Sequence, residues 1–147
     1  MTDIIIRELD YCDLSNGFLE SLDSLKTAST LTDSQRLEIF KKIQNSSSQI
    51  IYVILKDSKV IGSATLLIEQ KFIHDGKCVG HIEDVVIKKE FQKTNFGTLL
   101  IKDVLKRSES EGCYKTVLNC LEKISPFYIK LGFVPHLTGM RYNHSKN

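Results

Sequence analysis

Gln92-Lys93-Thr94-Asn95-Phe96-Gly97-Thr98 stands where an apolar extended run, Val85-Val86-Ile87, gives way to a helical stripe. A strand that turns into the start of a helix is a physical place to hold phosphate: the first helical N–H groups lack intrahelical partners and the helix dipole favours an anion. Lys93 adds charge, Thr94 and Thr98 add hydroxyls, and Gly97 lets the backbone come close. The same residues also suit a plain polar connection containing one glycine. The histidines His74, His81, His136 and His144 fit no metal-ligand spacing. His81, close to Glu83-Asp84, reads either as a group that orients a ligand or as an ordinary strand histidine. Cys12, Cys78, Cys113 and Cys120 form no C-x-x-C pair, which writes neither a zinc nor a redox motif and leaves buried, reduced thiols as the expectation.

The elements that must position these residues follow from periodicity. Ile4 to Leu9 reads as a strand. Leu14, Phe18, Leu22 and Leu25 share a helical face capped by Asp13 or Ser15. Leu37, Ile39, Phe40 and Ile43 mark a second helix before the polar run Asn45-Ser46-Ser47-Ser48. Ile50 to Leu55 and Val60 to Glu69 form a hairpin, and a third antiparallel strand runs from Cys78 to about Lys88. Leu99, Leu100, Val104 and Leu105 stripe a helix that ends near Gly112. Thr116 to Cys120 reads as a short strand, Ser125 to Leu131 as a short helix with proline in its first turn, and Gly139 to Asn143 as a last strand. The expected architecture is α/β (α+β): a mixed, mostly antiparallel sheet of six or seven strands with four helices.

The chain has 147 residues, with 20 Lys+Arg against 18 Asp+Glu, a formal charge of +2, and 41% hydrophobic residues. That is one globular domain over residues 1–147, long enough to bury a core without staples. So small a charge does not favour a nucleic-acid partner. The opening apolar run, Ile4-Ile5-Ile6, is too short for a secretory or membrane segment, so the expectation is a cytoplasmic protein with no membrane partner. Asn45-Ser46-Ser47 and Asn143-His144-Ser145 then read as chance matches to the glycosylation pattern.

Four stretches resemble the GCN5-related N-acetyltransferase (GNAT) superfamily: Val85 to Lys88, Gln92 to Gly97, Thr116 to Cys120, and Phe127 to Phe133 with its Phe-Tyr-x-x-Leu-Gly-Phe pattern. Gly17-Phe18-Leu19, Ala64 to His74, His81 to Val86 and Gly112 to Lys115 are similar to one branch of it, the eukaryotic glucosamine 6-phosphate N-acetyltransferases. The resemblance implies a sheet splayed at its centre, acetyl-CoA as co-substrate, no metal, and direct attack of the sugar's 2-amino group on the thioester. It implies that the backbone of Val85, Val86 and Ile87 grips the pantetheine arm and polarises the carbonyl, while Gln92, Lys93, Thr94, Asn95, Phe96, Gly97 and Thr98 hold the pyrophosphate. Tyr128 would meet the departing thiolate, or else fill a gap between helix and sheet. Glu83 and Asp84 would line the amino-sugar pocket, or else form surface ion pairs. Tyr114 and Lys115 would touch the sugar phosphate across a homodimer interface, or else occupy a solvated turn.

Five departures from the family pattern accompany this. Asn95 replaces a loop glycine; asparagine can visit positive φ but crowds the pyrophosphate. Asn119 replaces a carboxylate on the strand beside the thioester, and an amide cannot take a proton. The amine must then lose its proton unaided or through water near Glu83 or Asp84. Ile124 replaces an asparagine of the CoA wall, and Asn143 replaces a phosphate-gripping arginine, for which Arg141, on the same face of an expected strand, is the substitute. Lys26 and Thr27 take the place of a substrate-contacting threonine. Acetylation of another amine, or CoA binding without turnover, are the alternatives these departures raise.

Overall fold

The computed structural model describes residues 2–145. Five strands form one sheet in the order β1-β2-β3-β4-β5: β1 Ile4–Glu8, β2 Gln49–Lys56, β3 Lys59–Gln70, β4 Cys78–Ile87 and β5 Cys113–Leu118. The first four pair antiparallel and β5 lies parallel to β4. The helices are α1 Phe18–Leu22, α2 Asp33–Gln44, α3 Ile73–Gly76, α4 Phe96–Ser110 and α5 Ser125–Lys130. α3 is a single tight turn, with His74 and Asp75 at φ 55° and 57°.

Alternation along the strands splits the core in two. Ile54, Ile61, Leu66 and Ile82 meet Leu100, Ile101 and Val104 of α4, with Tyr128 of α5. On the opposite face Ile51, Val53, Leu55 and Val60 meet Leu14, Phe18 and Leu19. Small residues set the spacing of these layers. A Cβ on Gly80 would fall 2.2 Å from Ser108 Oγ of α4, and one on Gly62 would fall 2.5 Å from the Val86 carbonyl oxygen. Asp13, wholly buried, takes both guanidinium nitrogens of Arg7 at 2.7 and 3.0 Å and the Asp10 N–H at 2.8 Å. That satisfied ion pair pins the turn before α1 to β1.

Several expectations shift. The first helix is broken into a 3-10 turn, Tyr11–Ser15, and α1, because Gly17 sits between them at φ 102° with Val60 O 2.9 Å from where a Cβ would stand. β5 begins at Cys113, three residues before the expected strand, and ends two residues sooner. The last strand, Gly139 to Asn143, does not form, so the sheet has five strands and not six or seven. The segment pairs with neither edge strand, β1 or β5, and Val134, Leu137, Met140 and Tyr142 are 77%, 87%, 94% and 83% exposed. With the strand absent, its face no longer relates Arg141 to Asn143; instead Arg141 Nε donates to Asn143 Oδ1 at 2.8 Å. The cysteines are not the buried thiols expected: Cys12 and Cys120 are exposed, Cys78 and Cys113 half-buried.

Candidate active site

β4 and β5 part company halfway. Their ladder runs from Cys78↔Cys113 to Ile82↔Leu118, where β5 ends, while β4 continues through Ile87. Glu83 to Ile87 therefore border a cleft on the side away from β3. Alternation decides which amides face it. Lys88 N donates to Ile61 O of β3 at 2.8 Å, so Val86 also points toward β3 and the N–H groups of Val85 and Ile87 point into the cleft. Of the three residues expected to offer backbone donors, Val86 is thus turned away.

A bulge at the same place aims the acidic pair. Thr65↔Glu83 and Ser63↔Val86 enclose one residue on β3, Ala64, but two on β4, Asp84 and Val85, and Asp84 takes φ 50°. The extra residue reverses the alternation. Asp84 consequently joins Ser63 and Thr65 in lining a cavity of about 200 Å³ on the α1–α2 face, and Glu83, opposite Thr65, shares that face. Two consecutive carboxylates on one face is an arrangement a regular strand forbids. Leu22, Ala28, Leu31 and Arg36 border the same cavity, and Lys26 and Thr27 are exposed on the loop between them. Asp23 shapes that loop by accepting from Ala28 N at 2.7 Å and Ser29 N at 2.9 Å, and Arg36 holds it through Leu31 O and Ser29 O. Ser63, Thr65 and Arg36 were not singled out from the sequence; the available signal was Ser63 and Thr65, two hydroxyls at strand spacing inside an apolar run.

The loop before α4 is held from within. Gln92 Nε2 donates to Ile87 O at 2.9 Å, returning the loop to β4. Thr94 Oγ1 donates to Phe91 O at 2.6 Å and accepts from Phe96 N at 3.3 Å, so this hydroxyl is spent on the loop. The left-handed backbone falls on Lys93, at φ 60°, while Asn95 lies at φ −87° as the helix N-cap. Asn95 therefore needs none of the positive φ its residue type permits. Phe96 packs edge-on against Phe91, and Gly97 gives room to Phe127, whose ring would lie 3.3 Å from a Cβ there. Thr98 follows in the first turn of α4, whose opening amides lack intrahelical partners, with Lys93 in the loop before it.

Tyr128 lies on α5, between Phe127 at 4.9 Å and Phe133 at 5.5 Å between ring centroids. Burial, with the nearby Cys120 adding to it, pushes its phenol up to about 12. Asn119 is exposed just beyond β5, beside the tail at Gly139. At the closed end of the β4–β5 ladder, Tyr114 stacks on His74 at 4.1 Å and Lys115 Nζ lies 5.5 Å from the Tyr114 ring centre. Nearby on β3 and β4, Glu69 takes Lys71 Nζ at 2.5 Å and His81 Nε2 at 2.8 Å; Lys71, then His81, hold its carboxyl below the usual carboxylate range. Arg141 lies in the exposed tail. Among the described residues no group of three or more metal-ligating side chains forms, and no helix is long and apolar enough to cross a membrane.

The site is thus a cleft between diverging parallel strands, with amides aimed into it and a helix start beside it. The glucosamine 6-phosphate N-acetyltransferase of Trypanosoma brucei brucei is 38% identical over 145 residues, covering 96% of this chain and 98% of the relative. That of Dictyostelium discoideum is 37% identical over 134 residues, covering 88% and 84%. The crystal structure of glucosamine-6-phosphate N-acetyltransferase from Arabidopsis thaliana superposes with a TM-score of 0.92 at 29% identity, covering 97% of this chain and 99% of that one. The family model described as the acetyltransferase (GNAT) family matches residues 16–133. The chain belongs to the acetyltransferase (GNAT) family.

Proposed function

We propose that this protein transfers the acetyl group of acetyl-CoA to the 2-amino group of glucosamine 6-phosphate, giving N-acetylglucosamine 6-phosphate and CoA for UDP-N-acetylglucosamine synthesis in the cytosol. The observation that carries the reading is the bulge at Asp84-Val85, which at one point turns two carboxylates toward the α1–α2 face and resumes strand geometry along the cleft. Carboxylates suit the hydroxyls and ammonium of an aminosugar. The Val85 and Ile87 amides grip the pantetheine arm, and the amides at the start of α4 with Lys93 take the pyrophosphate. The amine, already near neutral in its pKa, loses its proton and attacks the thioester carbonyl. The C–N bond forms, the nitrogen sheds its extra proton to water, the C–S bond breaks, and the thiolate takes the Tyr128 proton, which water then restores. Asn119 orients rather than accepts a proton, since an amide has no basic site for it.

The sugar phosphate site takes Tyr114, Lys115 and Arg141, with Lys26 and Thr27 at the mouth. The protein acts as a homodimer over a single domain. Support comes from β5, an edge strand, and from the apolar tail whose residues Val134, Leu137 and Met140 stand in water within one chain. A second copy covers both at once. The test is release of CoA thiol with glucosamine 6-phosphate, glucosamine and a panel of polyamines and aminoglycosides. Preference for the phosphorylated sugar is expected. Equal rates with glucosamine would overturn the acceptor, and CoA binding without thiol release would overturn the enzyme.

A further inference from the structure

Cys78 and Cys113 open β4 and β5 and stand opposite one another in the parallel ladder. Neighbouring strands lie about 4.8 Å apart, inside the Cα separation of about 4.4–6.8 Å that a disulfide spans. Paired residues of a ladder share a face, and both thiols face α4. Gly80, two residues beyond Cys78, is pressed against Ser108 of α4, and the Ser108 hydroxyl also bears on the Cys113 thiol. Both side chains are half-buried free thiols, and Cys78 Sγ donates to Gln70 Oε1 at 3.3 Å. β5 bulges directly after Cys113, by one extra residue, Tyr114, before Val79↔Lys115 resumes the register. The backbone at this pair is therefore already irregular, and the two side chains that follow are Tyr114, stacked on His74, and Lys115.

We infer that Cys78 and Cys113 form a redox-modification site, closed into a disulfide by a peroxide, and that the closed form weakens capture of the sugar phosphate by Tyr114 and Lys115. The effect on the acceptor rests on the reading of those two residues given above; the bond does not. The Cys78 thiolate attacks the peroxide, taking one oxygen as a sulfenic acid and releasing the other as water once protonated. The Cys113 thiolate then attacks the Cys78 sulfur and expels hydroxide, which becomes the second water. Two thiols and one hydrogen peroxide give one disulfide and two waters, with the thiols supplying both electrons. Burial raises the Cys113 thiol, so its thiolate is scarce and the second step is the slower of the two. The bond draws Cys113 toward β4 and shifts the bulge that carries Tyr114.

The full chain, treated with graded hydrogen peroxide, desalted and digested without reductant, is read by mass spectrometry and by steady-state kinetics. A Cys78–Cys113 linked peptide is expected, reversed by dithiothreitol and absent from Cys78→Ser. With it the KM for glucosamine 6-phosphate rises several-fold while that for acetyl-CoA stays fixed, and Cys78→Ser keeps its KM under the same treatment. Absence of the linked peptide at doses that oxidise Cys12 or Cys120 overturns the site. A linked peptide with an unchanged acceptor KM overturns its effect. Failure of the untreated, reduced protein to acetylate glucosamine 6-phosphate overturns the acceptor reading and its redox control together, while the mass readout decides the disulfide separately.

Discussion

Tyr128 is 7% exposed among aromatic rings, and its phenol holds its proton to about pH 12. On the proposed mechanism, the burial that disfavours the Tyr128 phenolate would equally disfavour a free thiolate beside it. Tyr128→Phe is expected to lower kcat by roughly 100-fold, within the usual range for loss of a general acid, with the KM for acetyl-CoA nearly unchanged. The sign of the pH dependence follows. Below the ordinary tyrosine value near 10 the phenol is protonated folded and unfolded alike, so it adds no pH dependence. Between about 10 and 12 the unfolded chain ionises first, and stability drains away as pH rises through that window. A profile of kcat/KM should climb as the substrate amine deprotonates and then stay level to about pH 10; a falling limb near pH 8 or 9 would remove Tyr128 as the acid. Lys115→Ala should raise the KM for glucosamine 6-phosphate about tenfold and leave acetyl-CoA untouched, as measured by varying each substrate in turn.

At the scale of elements, the site depends on β4 being irregular in one place and tightly backed in another. Asp84 at φ 50° is a non-glycine residue in a sparsely occupied region, retained where the bulge turns the acidic pair to one face. Gly62 backs the continuation: a methyl there would meet the Val86 carbonyl oxygen at 2.5 Å and Ile87 Cδ1 at 2.6 Å. Backbone cannot step aside as a side-chain end can. Gly62→Ala is expected to cost about 1–3 kcal/mol in urea unfolding, as overpacking does, and to raise the KM for acetyl-CoA because the displaced strand carries the Val85 and Ile87 amides. Unchanged stability would show that β4 yields without cost.

For the whole molecule, the two-faced core closes around the sheet but leaves β5 as an edge and the tail after Phe133 uncovered. Large apolar side chains such as Leu137 and Met140, 87% and 94% exposed, lose hydration cost only by covering one another or a second chain. Truncation after Phe133 should yield a monomer by sedimentation, retain acetyl-CoA binding, and lose preference for the phosphorylated sugar. A truncated chain that still dimerises would place the interface elsewhere.

Periodicity alone determined the helical stripes of α2 and α4, the β2–β3 hairpin and the loop before α4, since each depends on residues near one another in the chain. Motif order determined the family, because Gln92 to Gly97 and Phe127 to Phe133 keep their spacing whatever surrounds them. Tertiary structure decided the rest. The bulge at Asp84 exists only against β3, the turning of Val86 away from the cleft needs the ladder register, and the positive φ at Lys93 rather than Asn95 follows from Gln92 and Thr94 bonding back to Ile87 and Phe91. The last strand was an expectation from sequence alone, and no local pattern says whether a segment will pair: β5 leaves an edge open, yet Gly139 to Asn143 does not join it.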